Sequence, residues 1–171
     1  MKPGLMCGCL EILTGIMSQN NQGKIDEVLD KAAEKLEIWL LMAYAAPVIA
    51  GRPVIVKRRL PSMAEADGLT SLNPRGVPVI TLSPRIDRVN DREFMRLYLH
   101  ELAHAKLHAP HFQRSTTDTE RPGSSDYEAI GMLEREADNQ AAKWLELAEA
   151  KRDKREPYKQ SVLYALINHF S

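Results

Sequence analysis

The segment His100-Glu101-Leu102-Ala103-His104 constrains the fold of this chain more than any other. Two imidazoles four residues apart on a helix lie one turn apart on the same face. Each can then point a nitrogen at a single metal ion about 2.0–2.1 Å away. Glu101 follows the first histidine directly, so its carboxylate is placed to reach a water beside the metal rather than the metal itself. That is the position of a general base. The plainer alternative is two surface histidines on an ordinary helix. The apolar run Phe94-Met95-Arg96-Leu97-Tyr98-Leu99 speaks against it, because it anchors the motif in a core.

A catalytic zinc takes three protein ligands and keeps one position open. His108 extends the pattern, but eight residues of unbroken helix separate it from His100 by about 12 Å. It is read here as an outer partner or packing residue. A better source is Leu133-Glu134-Arg135-Glu136-Ala137-Asp138, in a helix whose apolar stripe runs through Ile130, Leu133, Ala137, Ala141, Trp144, Leu145 and Ala148. At about 100° per residue, Glu134 falls within about 50° of the stripe's centre and Glu136 roughly 110° away. An inward glutamate is costly unless paired or metal-bound, which favours Glu134 as third ligand with Glu136 as its rival. A solvated helix edge with a basic partner is the alternative for Glu134. Asp138, one turn on, is placed to accept the N–H of a ligand histidine and fix its tautomer.

Around these residues the chain reads as one domain over 24–171, with its core in 24–150, after an N-terminal extension of poor structure over 1–23. A helix is expected from Lys24 to Ala46, with Ile25, Val28, Leu29, Ala32, Leu36, Trp39 and Leu40 at helical spacing and Pro47 as its stop. Val54 to Val56 reads as a short buried strand. Gly68–Leu72 and Val77–Leu82 flank Asn73-Pro74-Arg75-Gly76 as a hairpin, and Pro78 is expected to put at least the start of the second strand at a sheet edge. That edge, near Val79-Ile80-Thr81-Leu82, is the place expected to bind an extended peptide. Asn90 or Asp91 caps the motif helix, which Pro110 ends; a polar loop follows over 109–124. Further helices are expected from Ser125 or Asp126 through Ala150, and over 157–170. The fold class is therefore α+β: about three strands, antiparallel or mixed, packed on the motif helix and the glutamate-bearing helix.

Composition limits the partners. Lys+Arg and Asp+Glu balance at 23 each, so no global field favours nucleic acid. Cys7 and Cys9 are too close to staple a fold, and no apolar run approaches the ~20 residues of a membrane span. A reduced, cytoplasmic chain is the expectation. The polar run from Met17 reads as an alternative translation start.

Taken together, His-Glu-Leu-Ala-His-Ala-Lys-Leu-His at 100–108 and Glu-Arg-Glu-Ala-Asp-Asn-Gln-Ala-Ala at 134–142 resemble the two motifs of the ImmA/IrrE metallopeptidase family, a gluzincin-type group. The order of elements over about 24–150 is similar as well. The resemblance implies a zincin-like fold and one Zn2+ held by His100, His104 and Glu134, with Glu101 as catalytic base. It also implies a protein substrate that is a transcriptional regulator, often a repressor, in phages, mobile elements or stress responses. Departures are Ala103 for the usual Gly, Gln140 for Phe, and Glu146-Leu147 for Met-Pro; the last two bear on substrate preference. The function expected is a zinc-dependent endopeptidase that hydrolyses a peptide bond in a repressor-like partner. Alternatives are a non-catalytic zinc-binding interaction protein of a phage or mobile-element regulatory system, and an antirestriction-type zincin. Tyr98, His111 and Tyr127 are candidates to stabilise an oxyanion.

Overall fold

The computed structural model describes residues 8–58, 67–109 and 124–171, with backbone alone over 8–23 and 124–127. Cys7, His111, most of the expected loop over 109–124, and the side chains of Cys9 and Tyr127 lie outside what is described. Contacts group the chain into two units, Met1–Trp39 and Leu40–Ser171, so the division falls within a helix.

That helix, α1, runs from Gly8 to Ala50, beyond both ends of the expected 24–46 span. Pro47 does not stop it. The proline costs one helical hydrogen bond and crowds the carbonyl four residues back, yet the helix continues through Ile49 and Ala50, both buried. The stop is Gly51, at φ +67°, whose N–H donates to Pro47 O at 3.0 Å. Only a residue that adopts a left-handed conformation cheaply can close a helix this way. In the first unit Ile25, Val28, Leu29 and Leu36 are exposed, so the apolar periodicity read there is not a core face among the described residues.

Among the described residues, the second unit holds a three-stranded mixed sheet, a 3-10 turn over Pro84–Arg88 and three further α-helices. β1 (Ile55–Arg58), β2 (Gly68–Leu72) and β3 (Pro78–Leu82) are ordered β1-β3-β2. β3 is parallel to β1, from Ile55↔Val79 to Arg58↔Leu82, and antiparallel to β2, with Thr70 opposite Ile80. The hairpin turn forms as its residues dictate: Asn73 Oδ1 accepts the N–H groups of Arg75 and Val77, and Gly76 sits at φ +73°.

The expected edge position of the second hairpin strand is corrected: β3 is the central strand, with Val79, Ile80 and Leu82 buried. Pro78 is tolerated because it is the first residue of the strand, and pairing with β1 begins one residue later, at Val79. β1 and β2 form the two edges instead.

α2 (Asp91–Ala103) is capped by Asn90, whose side chain accepts the N–H of Glu93 at 2.9 Å. It buries Phe94, Met95, Tyr98, Leu99 and Leu102 and passes at His104 into a π-helical turn ending at His108. Lys106 of that turn donates to Ile49 O at 2.9 Å, tying it to the end of α1. α3 (Ser124–Lys151) packs along α2 and buries Ala137, Ala141, Trp144, Leu145 and Ala148. The stripe is shorter than its sequence suggests, since Ile130 is exposed. α4 (Tyr158–Phe170) starts at Pro157 and buries Val162, Leu163 and Leu166, with Phe170 edge-on to Trp144. No helix among the described residues is long and apolar enough to cross a membrane.

Candidate metal centre

α2 and α3 together bring three of the sequence-selected residues to one point. The Nε2 atoms of His100 and His104 are 3.1 Å apart. Across from them the Glu134 carboxylate straddles the pair, Oε2 at 3.2 Å from His100 Nε2 and Oε1 at 3.5 Å from His104 Nε2. Donors bound tetrahedrally at 2.0–2.1 Å stand about 3.3 Å from one another, so the donor set fits a zinc-sized ion. These three residues can hold a metal ion. Glu134 is selected over Glu136 for a reason other than burial. Its side chain is 53% exposed, at the rim of an open cleft, and its position one turn before Ala137 aims it across to α2.

The outer nitrogens of both histidines are also engaged. Asp138 Oδ1 lies 2.9 Å from His100 Nδ1 and accepts in turn from Arg96 Nη1 at 3.3 Å. Arg96 is itself held by a two-pronged contact with Glu93, one turn back on α2. His104 Nδ1 lies 2.9 Å from His108 Nδ1, and His108 Nε2 lies 3.2 Å from Glu136 Oε2. His108 and Glu136 thus stand outside the donor set, on the far side of His104. Burial pushes the His104 imidazole pKa down, opposed by the nearby Glu134 carboxylate.

Glu101 points the other way, toward the sheet. It is buried, and Thr70 of β2 donates its hydroxyl to Glu101 Oε2 at 2.7 Å. The same hydroxyl stands 2.9 Å from Glu101 O, which places β2 against the motif helix. Burial pushes the carboxyl up, and the Thr70 hydrogen bond and His100 work against it. Beside it, Gly68 leaves the space that the Glu101 side chain occupies. Together these residues line a cleft of about 530 Å³ between β2, α2 and α3.

Three contributors were not picked out from sequence: Thr70, Gly68 and Arg96. Alternation along Gly68-Leu69-Thr70-Ser71-Leu72 puts Thr70 on one face with Gly68, but nothing local tells which residue of α2 that face meets. Tyr98 does not belong to the site. It is fully buried and donates to Met42 O at 2.8 Å, with its phenol pushed up by desolvation. Comparison with models of protein families, with curated proteins and with solved structures gives no match to this chain.

Proposed function

We propose that this chain is a zinc-dependent endopeptidase with a zincin-like fold, of the ImmA/IrrE type. The observation that carries the reading is the convergence of His100, His104 and Glu134 beside a buried, Thr70-held Glu101 in one cleft. A purely structural metal site has no use for a buried carboxylate next to its donors. Zinc bound there would supply Lewis acidity to a carbonyl and to water. Glu101 takes the proton: Thr70 engages Oε2, while Oε1 lies toward Gly68 on the wall of the cleft.

The substrate backbone is placed by β2. Asn73 N–H donates to Val77 O and Ser83 N–H to Asp67 O, which marks 73/77 and 67/83 as hydrogen-bonded pairs. Antiparallel pairs alternate, so Gly68, Thr70 and Leu72 turn their own N–H and C=O groups away from β3. Gly68 and Thr70 line the cleft, and an extended peptide that adds to this edge passes directly over Glu101. The substrate we propose is a regulatory, repressor-like protein with an extended cleavable segment.

Zinc content and cleavage of a partner protein in wild type, Glu101→Gln and Glu134→Ala test this. The expected result is metal retained in the first variant and lost in the second, with cleavage lost in both. Full zinc in Glu134→Ala would overturn the donor assignment. A pull-down with Glu101→Gln as a trap identifies the substrate.

A further inference from the structure

We infer that Glu136, acting through His108, is a positioning residue that fixes which nitrogen of His104 carries its proton. The inference rests on the metal-site reading above and concerns residues outside the donor set. His108 is 1% exposed, so its ring nitrogens are satisfied by protein groups, and both have one: His104 Nδ1 at 2.9 Å and Glu136 Oε2 at 3.2 Å.

The donor count then decides the arrangement. An ionised carboxylate only accepts, so the His108 proton sits on Nε2 and points at Glu136. The Nδ1 of a neutral His108 is therefore a lone pair. The neighbouring His104 Nδ1 must donate into it, which leaves His104 Nε2 as a lone pair facing His100 and Glu134. The opposite tautomer would place a hydrogen where a metal binds.

Asp138 does the same for His100 by direct contact. The carboxylates that set both tautomers come from α3, the helix that also supplies Glu134, so docking of α3 on α2 prepares all three donors at once. Across the π-helical turn over His104–His108 the two rings meet edge to edge, with centroids 5.0 Å apart. Outer partners of ligand histidines raise metal affinity by holding the ring in one orientation and tautomer.

Glu136 is exposed, so its replacement tests the idea without emptying the core. Two readouts on full-length protein serve: nitrogen-15 imidazole spectra of the metal-free form, and zinc affinity by competition with a chromophoric chelator. The variants are Glu136→Ala, Glu136→Gln and, as an exposed neighbour, Arg135→Ala. Wild type is expected to show His104 as the Nδ1–H tautomer, and Glu136→Ala a mixture with zinc bound about 10–100-fold more weakly. Glu136→Gln keeps a carbonyl oxygen that accepts from His108 Nε2, and is expected to restore both signals; Arg135→Ala is expected to change neither. An unchanged tautomer in Glu136→Ala, or Glu136→Gln as weak as Glu136→Ala, would overturn the inference. A wild type that takes up no zinc would overturn the metal reading instead, and the tautomer spectra would still decide the role of Glu136.

Discussion

Gly68 and Glu101 stand so close that a β-carbon on residue 68 would lie 2.5 Å from Glu101 Oε1 and 2.7 Å from its Cγ. The glutamate side chain fills the space that any other residue at position 68 would need. Gly68→Ala is therefore expected to push Glu101 out of place while leaving His100, His104 and Glu134 untouched. Zinc content should stay at the wild-type level, cleavage should fall at least as far as in a conservative change at Thr70, and stability should drop by about 1–3 kcal/mol from overpacking. Thermal unfolding, zinc analysis and a cleavage assay on the same preparation check this. Full activity in Gly68→Ala would show that the Glu101 position seen here is not the working one.

Thr70 provides a finer probe of the same carboxylate. Thr70→Val keeps the shape and removes the hydroxyl shared between Glu101 Oε2 and Glu101 O. A buried hydrogen bond to a charged group contributes about 1.5–3 kcal/mol, so Thr70→Val should be destabilised by that order. Thr70→Ser, which retains the donor, should lose much less. The separation between the two variants, measured by denaturant unfolding, isolates the hydroxyl from the packing of the methyl group.

What could be read from the sequence followed from chemistry that acts locally. Asn90 caps α2, Asn73-Pro74-Arg75-Gly76 turns the hairpin, and Pro157 opens α4, each because a side chain satisfies or removes a nearby backbone group. The shared face of His100 and His104 was legible because a helix fixes the faces of residues near one another, and the same rule gave the phase of Glu134 on its own helix. The strand order was not. Pro78 pointed to an edge, and only the register with β1, beginning at Val79, explains why a central strand tolerates it. Thr70 and Gly68 were missed for the same reason: their role depends on which strand lies over α2, a choice made by long-range packing. Helix phase favours Glu134 over Glu136, and the Glu134 carboxylate lies beside both His100 and His104 while Glu136 lies beside His108, although half-exposed Glu134 gains nothing from burial.

Tyr98 separates structure from site. Its hydroxyl donates to Met42 O inside the core, away from the cleft. Tyr98→Phe is expected to lower stability by about 1 kcal/mol, the net worth of a typical buried hydrogen bond, and to leave zinc affinity unchanged. A change in affinity without a change in unfolding midpoint would contradict that placement.

Helices α2, α3 and α4 are joined at one carboxylate. Glu149 of α3 accepts from Arg92 of α2 at 2.9 Å and from the hydroxyl of Tyr158 of α4. These hydrogen bonds, Arg92 first, hold its carboxyl below the usual range. A carboxyl lowered in the folded state stabilises the fold above its unfolded pKa, and that contribution is lost as pH falls through the lower folded value. Wild type and Glu149→Gln should therefore differ in Tm at pH 7, and the gap should close on acidification below about pH 4. A gap that stays constant across that range would mean that packing, not charge, accounts for the difference.

Metal removal links the site to the fold. A ligand bound only by the native state at 100 times its Kd adds about 2.7 kcal/mol, which for a chain of this size raises Tm by roughly 5–10 °C. α2 and α3 meet at the donor set, so zinc should lock these two helices together and chelation should reverse the gain. Glu101→Gln is expected to respond to chelator as wild type does, because its side chain is held by Thr70 and is not one of the donors. Glu134→Ala is expected to give no response, because the two histidines alone leave α3 out of the site. Differential scanning calorimetry with and without chelator distinguishes the two variants, and a chelator response of wild-type size in Glu134→Ala would remove α3 from the metal centre.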